Sequence, residues 1–133
     1  TLENLPAVFR GRPMLGTTGE ELVDLADGRI QGFCLDFAHL YCAANYRNIP
    51  YPQPLKPFQA LNIRHFHLSN TTDGSIADRH LPLDHPGCGL PFPEVVRCIW
   101  ARPGVPVSLE YRKPAGFYED QIAVFDAIYR KYA

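Results

Sequence analysis

Four short apolar stretches alternate with four helix-patterned segments along the chain, and that order leaves few folds open. The first stretch holds Leu2 and Glu3 and stops at Pro6, which lacks the N–H that a central strand needs. After a loop, "RGRPMLGTT", Thr18 is expected to cap a helix. Glu21 three residues later completes a capping box, and Gly28 ends the helix. Phe33 to Phe37, apolar with one acid, suits a strand buried on both faces. "LYCAANYRN" follows as a short helix. "IPYPQPLKP" carries four prolines and reads as loop or extended chain, with a short helix in "PFQALN" after it. "IRHFHLS" alternates and reads as a strand. "PFPEVVRCIWAR" is helical, with Val95, Val96, Ile99 and Trp100 on one side. "VPVSLEY" is the last strand. "FYEDQIAVFDAIYRKY" closes the chain as a helix, with Ile122, Phe125, Ile128 and Tyr129 at helical spacing. Strands alternating with helices predict an α/β fold with a parallel sheet and right-handed crossovers.

The 133 residues suit a single domain, 1–133, with one core. Hydrophobic content of 46% against 20% charged excludes a disordered chain. A net charge of −1 gives no basic footprint, so nucleic acid is not an expected partner. No apolar run approaches the roughly 20 residues of a membrane helix, and no signal-peptide pattern opens the chain. Cys34, Cys42, Cys88 and Cys98 form no CxxC pair and read mostly as reduced packing thiols of an intracellular protein, with a zinc site built on them as the lesser alternative. A cytoplasmic protein without membrane contact is the expectation. Because "TLENLP" reads as the end of a strand, the chain is also expected to be cut from something longer or completed by a partner.

The strand ends carry the chemistry. Glu3, Asp36, His67 and Glu110 close the four strands at intervals of 33, 31 and 43 residues. Each interval is about one βα unit of roughly 30 residues, so the four side chains would reach the carboxyl end of one sheet, where α/β folds place their sites. Two glutamates, an aspartate and one imidazole form an oxygen-rich set suited to Mn²⁺, Mg²⁺, Co²⁺ or Zn²⁺. The loop "RHFHLSNTTDGSIADRHLPLDHPG" holds four of the five histidines. With His39, one turn past Asp36, its Asp78 and His80 form a candidate second metal site or a set of substrate contacts. The alternative is a solvated loop with turn-forming aspartates. His65 is expected to point away from His67 and pack under a helix, and His85 to be a loop residue.

These motifs together, "LEN", "LDFAH", "FHLSN", "DRHLPLDHPGCGLPF" and "VSLEY", resemble the xylose-isomerase-like superfamily, which includes sugar-phosphate isomerases and epimerases and endonuclease IV-type nucleases. The resemblance runs from Leu2 to about Tyr111 and covers only strands five to eight of the family's (β/α)₈ TIM barrel. It implies half of a barrel, with four parallel strands, two open edges and a bare apolar inner face, completed by a second copy or a complementary half-barrel chain. It also implies one divalent metal on Glu3, Asp36, His67 and Glu110, with Glu3 and Glu110 exchanging a proton with a sugar or sugar-phosphate substrate. His39 and Arg79 would touch substrate oxygens, and Gly87-Cys-Gly89 would form a tight loop before the last helix. The nuclease branch implies a zinc phosphodiesterase acting on abasic DNA, with His39, Asp78 and His80 in a multi-zinc cluster. A third alternative is a half barrel that is structural or metal-binding without catalysis.

Overall fold

The computed structural model describes residues 1–111 and 113–133. Strand β1 (Leu2–Glu3) runs into a two-residue hairpin, β2 (Val8–Phe9) and β3 (Arg12–Pro13). Helix α1 (Gly19–Ala26) leads to β4 (Phe33–Asp36), which passes without a break into α2 (Phe37–Arg47). Helix α3 (Pro52–Gln59) precedes β5 (Ile63–Leu68). After the histidine-rich loop come α4 (Phe92–Trp100), β6 (Val107–Leu109) and α5 (Ala115–Tyr132). The main sheet has the order β1-β4-β5-β6, parallel throughout. The α/β class and the four parallel strands are as expected.

Local chemistry explains most boundaries. The Thr18 hydroxyl accepts from the Glu21 N–H and starts α1. Glu21 reaches back to the N–H and hydroxyl of Thr17, one residue before the expected box partner. Asp27 (φ 48°) and Gly28 (φ 68°) end the helix in left-handed conformation. Asp36 caps α2 by accepting from the His39 N–H, so the helix begins right after the strand, earlier than expected.

Four expectations need correction. The proline-rich stretch is helical. Pro52 and Pro54 occupy the first turn of α3, where N–H groups have no helical partner, and only Pro57 lies inside the helix. The helix ends at Gln59, so "PFQALN" holds its end rather than a separate helix. The loop after Pro6 contains a hairpin, because Arg10 (φ 50°) and Gly11 (φ 75°) supply the two positive-φ residues of its tight turn. Gly87-Cys-Gly89 leads into α4 and not the last helix, since one more strand must still be crossed.

The core lies between the sheet and the helices. Phe33, Leu35, Ile63, Phe66 and Leu68 pack outward against Leu22, Phe37, Leu40, Phe58, Val95 and Ile99. Phe37 and Phe66 stack at 5.4 Å. Trp100 is 62% exposed, because α4 buries only the stripe of Val95, Val96 and Ile99. Ile122 is likewise exposed, while Phe117, Val124, Phe125, Ile128 and Tyr129 of α5 pack on the core.

The opposite face of the sheet overturns two expectations. Residues two apart on a strand share a face, so His65 lies beside His67, their ring centroids 5.1 Å apart, and its Nε2 meets the Ser108 hydroxyl at 2.7 Å. It is not packed under a helix. Together with Glu3, Cys34, Asp36 and Glu110, these side chains make the inner face polar. Among the described residues the bare apolar inner face is not seen.

Candidate metal centre

Glu3 and Asp36 are the last residues of β1 and β4, His67 is next to last in β5, and Glu110 follows β6 directly. Register does the rest: Asp36 pairs with His67, and the Glu110 N–H continues the ladder to Leu68 O at 3.1 Å. One donor atom from each of the four lies within 4.8 Å of every other. His67 Nδ1 is 3.2 Å from Glu3 Oε1 and 3.0 Å from Glu110 Oε1, yet it is buried without a well-aligned hydrogen bond. Asp36 Oδ2 is also buried without a partner. Buried polar atoms ordinarily find partners. Two orphaned donors aimed into a ring of carboxylates fit a divalent cation.

The set is wired to its surroundings. Asn4, fully buried, donates from Nδ2 to the Asp36 carbonyl at 2.9 Å and accepts the Asp36 N–H at 2.7 Å. Its own carbonyl accepts from His39 Nδ1 at 2.9 Å. Burial lifts the Asp36 carboxyl to about 6. Burial would also raise Glu3, but the hydrogen bond and charge of His67 bring it below the usual range. The Cys34 sulfur, and next the Glu3 carboxylate, raise the His67 imidazole.

His39, Asp78 and His80 form a second cluster, again with donors within 4.8 Å. His39 Nδ1 donates to Asn4 O, and His80 Nδ1 donates to Glu110 O at 2.8 Å. A carbonyl only accepts, so both rings carry their proton on Nδ1 and turn Nε2 toward Asp78 Oδ2, at 3.4 and 2.5 Å. Facing lone pairs and a carboxylate oxygen need a proton or a cation between them. Metal-binding histidines are held in this way, by a second hydrogen bond on the far nitrogen. Without a cation, burial opposes the His39 charge, but Asp78 and Asp36 raise the ring to about 9, and Asp78 raises His80 to about 9. Asp78 is held well below the usual carboxylate range by the two histidines, against the effect of burial. His80 has φ 48°, a left-handed backbone that turns its ring inward.

Arg79, between Asp78 and His80 in the loop, is exposed. His85 remains in the loop and accepts the Gly87 N–H. The sequence did not point to Asn4, whose signal was only its place after Glu3. Nor did it single out Cys34 from the other cysteines as the one that joins Glu3 and His67 in a third group of donors. An open cleft of about 380 Å³ lies beside the centre, walled by His67, His80, Glu110, Tyr111 and Tyr118. Among the described residues no helix is long and apolar enough to cross a membrane.

No curated protein matches the chain. A solved structure described as a D-tagatose 3-epimerase-like protein superposes with a TM-score of 0.69 at 24% identity, covering 99% of this chain and 48% of that one. The chain thus spans about half the length of the protein it matches, as half of a barrel would. The family model for the xylose isomerase-like TIM barrel matches residues 1–128. With four parallel strands delivering their terminal side chains to one point, the chain belongs to the xylose isomerase-like TIM barrel family.

Proposed function

We propose that the chain carries the metal-binding half of a divalent-metal-dependent isomerase or epimerase acting on a sugar or sugar phosphate. The observation that supports this best is the convergence of Glu3, Asp36, His67 and Glu110, with Asp36 Oδ2 and His67 Nδ1 buried and unpartnered. These four residues would hold Mn²⁺, Mg²⁺, Co²⁺ or Zn²⁺, which when bound supplies positive charge to polarise a carbonyl and offset charge developing beside it. Glu3 and Glu110 both approach His67 Nδ1 and are both partly exposed, and Glu110 lines the cleft. One carboxylate takes a proton from the carbon next to the carbonyl, and the other returns one. Asp36, fully buried and serving as a helix cap, is a ligand and not a base. His39 and Arg79 would meet substrate hydroxyls or phosphate. The remaining wall of the pocket would come from a second copy or a complementary half-barrel chain.

The test is solvent deuterium incorporation. With Mn²⁺ and a ketose, carbon-bound deuterium should appear next to the carbonyl, and Glu110→Gln should lose it at least a thousandfold (on the order of 4 kcal/mol of barrel-bound transition-state stabilisation) while melting normally. Unchanged exchange in Glu110→Gln removes that residue from the mechanism.

A second reading, a zinc phosphodiesterase of the endonuclease IV type, is favoured by one feature: the paired Nδ1 anchors that aim His39 and His80 at Asp78. Chelator-sensitive cleavage of an abasic duplex would support it over the isomerase.

A further inference from the structure

The third donor group lies just beneath the first. Cys34 is two residues before Asp36 on β4, so its side chain shares the inner face one layer deeper. Its sulfur, a Glu3 carboxylate oxygen and a His67 ring nitrogen lie within 4.8 Å of one another. Cys34 is 4% exposed. Sulfur, imidazole and carboxylate suit Zn²⁺ or a softer cation, whereas the overlapping oxygen-rich set suits Mg²⁺ or Mn²⁺. Glu3 and His67 belong to both groups, and His67 Nδ1 is a buried atom without a partner. A cation drawn down to the sulfur therefore takes two of the four ligands from the upper position.

We propose that Glu3, Cys34 and His67 form a thiophilic-cation site overlapping the four-ligand centre, so that the two kinds of cation exclude each other. Binding replaces the thiol proton, which passes to solvent as the sulfur–metal bond forms. Among the described residues the other cysteines join no such group: Cys42 is fully buried, Cys88 Sγ faces Leu90 O and Cys98 Sγ faces Arg102. Inhibition by soft cations follows only if the isomerase reading of the upper centre holds; the site itself rests on the geometry of the three residues.

Cd²⁺ is the probe. Titrated into the purified chain, it should give a saturable near-ultraviolet thiolate-to-cadmium band and release bound Mn²⁺, read by electron paramagnetic resonance. Cys34→Ser and Cys34→Ala should lose the band, and Glu110→Gln should keep it while binding Mn²⁺ at least tenfold more weakly. An undiminished band in a folded Cys34 variant, or no band in the native chain, overturns the site. If the Cys34 variants fail to fold, the native chain decides: Cd²⁺ and Mn²⁺ bound together also overturn the proposal. A cadmium band on a chain that never takes Mn²⁺ leaves the thiol site standing and brings down the isomerase reading instead.

Discussion

Asn4 shows how one side chain can organise a site without being part of its chemistry. Its side chain bonds both backbone groups of Asp36, linking β1 to β4, while its backbone carbonyl accepts from His39 and joins the first cluster to the second. Asn4→Ala leaves the buried Asp36 N–H and carbonyl without these partners, and each such loss costs about 1–3 kcal/mol. The expected result is a urea midpoint lowered by that order and weaker metal binding, read by calorimetry; wild-type stability and affinity would rule Asn4 out as an organiser. Glu3, Asp36, His67 and Glu110 were legible in the sequence because strand ends recur at the period of a βα unit. Asn4 and Cys34 were not, because their importance comes from pairing across strands 30 residues apart. His65 was misplaced by an error of period, since a strand returns to the same face every second residue.

Among the elements, α5 and the histidine-rich loop depend on each other through Gln121. Its Oε1 accepts from the Leu83 N–H at 2.7 Å and from the Tyr111 hydroxyl at 3.3 Å, and its Nε2 donates to Asp84 at 3.0 Å. Gln121 is the one buried residue of α5, so a polar clamp replaces the apolar residue expected at the centre of such a helix face. Gln121→Leu should cost about 1–3 kcal/mol through the unpaired Leu83 amide. It should also raise hydrogen exchange in residues 78–84 more than in β4. Uniform exchange changes would mean the clamp stabilises the fold as a whole and does not hold the loop. Periodicity could not reveal this network, just as proline content alone could not reveal α3. Both depend on where a residue falls within its element.

At the scale of the molecule, the polar inner face changes what a partner must provide. The sheet ends at β1 and β6, with two and three residues. Short edges resist uncontrolled pairing, but they leave the barrel open. A second copy or a complementary half would close it by hydrogen bonds and polar packing around the donors rather than by covering an oily surface. Sedimentation equilibrium should therefore show association that strengthens with bound cation, and a chain that stays monomeric at high micromolar concentration, with and without metal, would defeat this expectation.

The same clustered charge sets the chain's response to pH. His39 and His80 are held near 9 in the metal-free fold against an ordinary 6.5. Groups raised in the fold contribute stability that is complete below the unfolded value and is lost as pH climbs through the folded one. Asp36, raised from 3.8 to about 6, has released its contribution by neutral pH. Asp78 and Glu3, both lowered, are ionised in either state above neutrality and add no slope there. In chelator, the melting temperature should fall as pH rises from 6.5 through 9, with His67, raised to about 11, extending the fall beyond that window. A saturating divalent cation competes with those same protons and binds better as they leave, so with Mn²⁺ or Zn²⁺ present the melting temperature should hold or rise across that window. Thermal scans with and without metal check both halves. A flat metal-free profile would mean that Asp78 does not hold the two imidazoles charged, and a profile unchanged by metal would mean that neither cluster takes a cation.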